Sequence, residues 1–172
     1  MGIAIDTDFP LIRKMRMGDE QAIEAFVRKY YPSILKYCQT HVTDQGHAED
    51  LTQDTFARFF RSLNHYKHYG KAANYLYTIA SRLCRDYYKQ IHELPFETLP
   101  KTPALHAPPP EQQITAKLAL GSLPPEIRET AILFFMQEQK QKDIARILGI
   151  SLPLVKYRIK RARELLSDYF NE

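Results

Sequence analysis

Six of the eleven prolines in this chain crowd into the stretch from Glu93 to Gln113, at positions 95, 100, 103, 108, 109 and 110. Proline lacks a backbone N–H and fixes φ, so neither a regular helix nor a central strand can run through such a segment. The periodic apolar pattern stops there as well. The segment therefore reads as a flexible linker over 93–113 that divides the 172 residues into two units, 1–92 and 114–172. A proline-rich tether of this length reaches up to roughly 60 Å.

Both units carry helical rather than strand periodicity. In the first, Asp19 stands as the N-cap of a helix with Ala22, Ile23, Phe26, Val27 and Tyr30 on one side, and Pro32 is expected to bend or break it before Ile34, Leu35 and Cys38. A second helix follows Asp44 and Gly46, with Ala48, Leu51, Thr55, Phe56, Phe59 and Leu63 recurring at three- and four-residue steps. A third runs from about Lys71 to Lys89 through Leu76, Ile79, Ala80 and Leu83. In the second unit, Pro124 and Pro125 suit a helix start ahead of a run from Ile127 to Met136. A short helix from Gln141 to Leu148 ends at Gly149, and Ser151 can cap a final helix through Leu166. A short helix, a glycine turn and a basic helix spell helix-turn-helix. The fold class is all-α, with no period-two alternation and no Asn-Gly or Asp-Gly hairpin turn.

With 44% hydrophobic and 26% charged residues the chain is a globular composition, and its net charge of +4 suits a polyanion without demanding one. The two cysteines, Cys38 and Cys84, form no CxxC pair and no disulfide framework, which points to a reducing, cytoplasmic setting. The N-terminus, with Asp6 and Asp8, lacks a secretory pattern. The longest apolar run, Ala131 to Met136, is too short to span a bilayer, so no membrane insertion is expected.

Three constellations carry chemistry. From Val155 to Arg163 the final helix holds five cations and no acid. Val155, Ile159, Ala162 and Leu166 keep one side apolar, which leaves Lys156, Lys160 and Arg163 along an exposed side and Arg158 and Arg161 near others. Such a helix can pack on its domain while offering charge to phosphates. On the second helix of the first unit, Asp50, Gln53 and Asp54 stand at i, i+3 and i+4, an acidic and amide face suited to a basic protein surface. The loop Asn64, His65, Tyr66, Lys67, His68, Tyr69, Gly70, Lys71 mixes aromatics with cations, and the next helix adds Asn74, Tyr75, Tyr77, Arg82, Arg85 and Lys89. Aromatic planes stack on unpaired bases and cations follow the phosphates, the chemistry of single-strand binding. Taken singly, each cluster could be an ordinary solvated face or core edge.

Taken in order, the segments resemble a known family. Ala48 to Phe56 (AEDLTQDTF) resembles the region-two signature of the extracytoplasmic-function (ECF) sigma factors of the sigma-70 family, and Asn74 to Asp86 (NYLYTIASRLCRD) resembles the helix that follows it. In the second unit, Leu123 to Arg128 (LPPEIR) and Asp143 to Ser151 (DIARILGIS), with Val155, Lys156, Arg158 and Arg161 to Arg163, resemble region four. The resemblance implies two helical domains and three interfaces. Asp50, Gln53, Asp54 and Phe56 would dock on core RNA polymerase at the clamp coiled coil of the beta-prime subunit, and the second unit would meet the beta flap. His65, Tyr66, Lys67, Tyr69, Lys71, Asn74, Tyr75, Arg82 and Arg85 would capture the minus-ten element. Ser151, Lys156, Tyr157, Arg158, Lys160, Arg161 and Arg163 would read the minus-thirty-five element from the major groove. Promoter DNA and core polymerase are the implied partners. The chain begins only shortly before the first helix and ends soon after the recognition helix, so no added sensory domain is expected, control is expected from outside, and the resemblance implies an anti-sigma protein.

The sequence departs from the family pattern at Tyr75, where Trp is usual, and at Ser81 and Arg82, where an Arg-Asn pair is usual. It departs again at Pro153, Leu154 and Tyr157 in the recognition helix, which is expected to change the bases or phosphates touched. A helix-turn-helix regulator that binds an operator without polymerase is the competing reading, but it accounts only for the second unit. Catalysis is not expected. Histidines 41, 47, 65, 68, 92 and 106 are scattered, and no HExxH, phosphate loop or nucleophile elbow is present. No metal and no cofactor is expected.

Overall fold

The computed structural model describes residues 6–93 and 111–172, and the chain divides into two compact units, Met1–Glu93 and Leu94–Glu172. All of the regular structure among the described residues is helical. The first unit holds α1 (Asp8–Arg16), α2 (Glu20–His41), α3 (Gln45–Arg61) and α4 (Ala72–Glu93). The second holds α5 (Glu111–Gly121), α6 (Pro125–Ala131), α7 (Gln141–Leu148) and α8 (Leu152–Asn171). No described helix is long and apolar enough to cross a membrane.

Local chemistry sets the helix starts in the first unit. The Asp19 carboxylate accepts from the N–H groups of Gln21 and Ala22 at 3.0 and 3.2 Å, and Asp44 accepts from His47 N–H at 2.8 Å. Each satisfies donors that the first turn leaves without a helical partner. Gly18, at φ +82°, reverses the chain between α1 and α2. The expected break at Pro32 does not occur, because α2 continues through it for 22 residues. Losing one backbone bond and crowding the preceding turn costs about 3 kcal/mol. Phe26 before the proline and Ile34, Tyr37 and Cys38 after it are all fully buried on the same helix. At about 1.5–3 kcal/mol for each large apolar side chain, that shared face outweighs the defect.

Helix α2 packs against α1, α3 and α4, and α3 packs against α4. Phe26 stacks on Phe59 with centroids 4.8 Å apart and meets Phe56 edge-on at 6.4 Å. Cys38 on α2 and Cys84 on α4 are both buried in this core. The third expected helix extends past Lys89 to Glu93, and the second ends at Arg61, so that Leu63 is buried from the following turn rather than from the helix.

The second unit departs from expectation at its start. Helix α5 already begins at Glu111, so residues 111–113 are helical, as is Glu93; the rest of the proposed linker lies outside the described residues. Arg128 on α6 ties α5 down. Its guanidinium donates to the carbonyls of Leu120, Gly121 and Leu123 at 3.1, 2.8 and 2.8 Å, which supplies both partners and positive charge to a helix C-terminus. Pro125 opens α6 as expected, but the run toward Met136 widens into a π-helical stretch, Ile132–Met136, closed by Gln137 N–H on the Ile132 carbonyl at 3.1 Å. Ile132 and Leu133 are buried there. Gly149 ends α7 at φ +65°, and the Ser151 hydroxyl caps α8 by accepting from Leu154 N–H at 3.3 Å. Val155, Ile159 and Ala162 bury the inner side of α8 against α6 and α7.

Candidate nucleic-acid interface

The α3 face comes from the sequence AEDLTQDTF on a helix, where residue type alternates between inside and outside. The Thr52 and Thr55 hydroxyls donate back to the carbonyls of Ala48 and Leu51 at 2.7 Å and are buried. Asp50 and Gln53 are exposed, and Asp54 is half-buried. Asp54 lies 3.5 Å from Arg58 and 3.8 Å from Arg61, so part of its charge is answered within α3. Phe56 does not join this face. It is only 5% exposed, packed on Phe26 and Tyr31, and the assignment of Phe56 as a contact residue is corrected to one of support.

The aromatic loop between α3 and α4 is held from below. Tyr66 and Tyr75 stack with centroids 5.1 Å apart at 21°, and both lie against Phe59. Tyr75 OH donates to Ser62 Oγ at 3.1 Å, and Tyr66 OH is 3.0 Å from His68 Nδ1. Burial first, then the nearby Asp8 and Asp6 carboxylates, push the Tyr66 phenol up to about 12, so it stays neutral. Tyr69 is the contrast. Its side chain is 76% exposed, and His65, Lys67, Lys71, Arg82 and Arg85 are exposed with it. Asn74 and Tyr75 are half-buried at the start of α4. Of the Ser81 and Arg82 pair only Arg82 reaches solvent, since Ser81 is buried with its hydroxyl donating to the Thr78 carbonyl.

Helix α1 supplies what the sequence reading missed. Arg16 donates through Nε to the Leu63 carbonyl at 3.1 Å and through Nη2 to the Tyr66 carbonyl, gripping the loop backbone. Asp6 accepts from the N–H groups of Asp8 and Phe9 and lies 2.7 Å from His68 Nε2. Desolvation raises the Asp6 pKa, but the bonds from His68, Phe9 and Asp8 outweigh it and hold the carboxyl below its ordinary value. Asp8 is buried and takes Lys29 Nζ at 2.6 Å, Tyr30 OH at 2.5 Å and the N–H of Ala72, the first residue of α4, at 3.2 Å. Ile12 and Met15 at helical spacing, after two aspartates, were the available signal.

On α8, Lys156, Tyr157, Lys160, Arg161 and Arg163 are exposed, as is Ser151 at its start. They are not equally available. Arg158 has a side chain only 16% exposed, 3.8 Å from Glu126, and Arg161 pairs with Glu164 at 2.9 Å. The Arg163 guanidinium lies over the rings of Phe134 and Phe135 at 5.6 and 5.8 Å. Among the described residues no ion pair engages Lys156 or Lys160.

Residues 26–92 match Sigma-70 region 2, and residues 116–166 match Sigma-70, region 4. The chain is an ECF sigma factor of the sigma-70 family. It is 34% identical to the ECF RNA polymerase sigma factor SigE of Mycolicibacterium smegmatis over 88% of its own length, and spans 64% of that relative. Among solved structures it is similar to CnrH in complex with the cytosolic domain of CnrY, with a TM-score of 0.76 at 22% identity, covering 94% of this chain and 95% of that one. It is also similar to RpoE in complex with the anti-sigma factor NepR from Bartonella quintana, with a TM-score of 0.65 at 23% identity, covering 86% and 96%. At these identities the structural likeness speaks to the fold. In this sigma factor the α3 face and the aromatic loop fall inside the region 2 match, and α7 with the start of α8 inside the region 4 match, while α1 precedes both.

Proposed function

We propose that this sigma factor binds core RNA polymerase, carries it to promoters with two recognition elements and helps open the DNA between them. The observation that carries the reading is the pairing, within one region 2 unit, of the exposed Asp50 and Gln53 face with an aromatic loop that ends in the exposed Tyr69. The first suits the beta-prime clamp coiled coil, and the second suits an unpaired base of the minus-ten element. The second unit supplies the upstream contact: α8 enters the major groove at the minus-thirty-five element, with Lys156 and Lys160 as its unengaged cations, while the same unit docks on the beta flap. Residues 94–110 serve as the link between the two units. An operator-binding regulator would explain α7 and α8 but leaves the region 2 match without a role.

An anti-sigma protein is the proposed regulator, by extension from the RpoE relative. The proposed location is the cytoplasm, where polymerase and promoters are. The test is run-off transcription with purified core polymerase on a promoter library, with and without this chain. The reading expects chain-dependent transcripts whose templates share two spaced elements. Absence of such transcripts, together with absence of core binding in gel filtration, contradicts it.

A further inference from the structure

Helix α1 buries Asp8, Ile12 and Met15, a stripe at steps of four and three that fixes which way the helix faces. The neighbouring stripe, at the same spacing, is Phe9, Arg13 and Arg16. Its two ends are placed by contacts with the aromatic loop. The Phe9 ring lies 6.4 Å from that of His68, and Arg16 grips the Leu63 and Tyr66 carbonyls. Arg13 stands between them, four residues after Phe9 and three before Arg16, and is exposed.

Phe9 is 58% exposed, a cost that the core of this unit does not require, since Phe26, Phe56 and Phe59 are all buried. The charge of the stripe is cationic. Asp6 and Asp8, the nearby carboxylates of this segment, are engaged by His68 and by Lys29, Tyr30 and the α4 N-terminus. Arg13, Lys14 and Arg16 crowd the last turn of α1, and Lys67 and Lys71 stand on the loop beside it. An exposed aromatic plane flanked by cations, continuous with a loop of the same composition, fits single-stranded DNA better than a basic protein surface.

We propose that α1 forms a second wall of the single-strand-binding surface, with Phe9 stacking on an unpaired base and Arg13 holding an adjacent phosphate. The inference rests on the loop's reading as the strand-capturing element. It extends that element to a helix ahead of the region 2 match.

The test uses full-length chain in holoenzyme, bound to a synthetic promoter whose minus-ten segment is single-stranded on the non-template side. Phe9→Ala weakens binding about fivefold or more, the low end of base stacking on an aromatic side chain. Arg13→Gln weakens it less and lowers the slope of log affinity against log salt by about 0.7, the loss of one single-strand phosphate contact. Both variants keep the parent's circular dichroism and core affinity. A photo-reactive benzoylphenylalanine placed at position 9 crosslinks to the non-template strand. Tyr69→Ala, run in parallel, separates the two levels of the argument. If Tyr69→Ala weakens binding while Phe9→Ala and Arg13→Gln do not, the inference is overturned and the loop's role stands. If Tyr69→Ala has no effect, the loop's role fails and the inference with it. Crosslinking from position 9 to a polymerase subunit alone makes α1 a protein-docking helix and also overturns the proposal.

Discussion

The aromatic loop of region 2 and the basic helix of region 4 are both nucleic-acid surfaces by composition, yet they spend their side chains differently. In the loop, Tyr66, Tyr75 and His68 are tied to one another, to Ser62 and to Asp6, and Arg16 holds the backbone, so that Tyr69 is presented from a fixed base. On α8 the backbone is an ordinary capped helix, and Lys156 and Lys160 extend from it without partners among the described residues. A surface that must hold a base out of its stack gains from rigidity, because ordering costs are met before binding. A surface that follows phosphates in a regular groove needs charge at the right spacing and little else.

The largest expected effect breaks the loop's foundation. Tyr66→Ala removes a half-buried ring from the Phe59 and Tyr75 cluster and should lower the stability of the first unit by about 2–3 kcal/mol, below the cost of a fully buried aromatic. Tyr69→Ala, at an exposed site, should leave the urea midpoint within about 0.5 kcal/mol of the parent. Equal destabilisation by the two would erase the distinction between foundation and tip.

Next in size is Asp54→Arg, which sharpens the comparison on the protein-facing side. The Arg58 and Arg61 pairs it breaks are exposed and worth little to stability. Charge reversal at a docking face should nonetheless weaken core binding by about tenfold or more. Wild-type affinity in a competition assay would remove α3 from the polymerase interface.

The smallest effects belong to α8. Lys156→Ala and Lys160→Ala should each reduce the salt slope of holoenzyme binding to duplex promoter by about 0.9 if both touch phosphates, and one should instead lose about 1–3 kcal/mol on the preferred sequence alone if it reads a base. Arg161→Ala, whose cation already pairs with Glu164, should change the slope least. A ranking with Arg161 first would mean that internal pairing does not decide which cations reach DNA.

Much of this was legible in residue order. Asp19, Asp44, Ser151 and Gly149 mark helix ends because a short polar side chain or a left-handed glycine is a local requirement. Phe56 shows where motif resemblance misleads: its place in the apolar stripe with Phe59 pointed inward, whereas the motif pointed it outward, and the periodicity prevailed. At Pro32 the expectation was a bend or a break, and the break does not occur because burial on both sides of the proline outweighs the local backbone preference. The α1 anchors were illegible for another reason. Arg16 meets Leu63 and Asp8 meets Ala72 across 47 and 64 residues, and no local pattern records such a pairing.

The measurement that bears most directly on the account is paired footprinting of one promoter bound by holoenzyme, with permanganate for unpaired thymines and nuclease for upstream protection. The parent chain should give both signals, and neither should appear with core polymerase alone. Tyr69→Ala should lose thymine reactivity around the minus-ten element while upstream protection persists, and the Lys156→Ala, Lys160→Ala double variant should weaken upstream protection first. Unchanged thymine reactivity in Tyr69→Ala, or full upstream protection in the double variant across a salt titration, would contradict the division of labour between the two units.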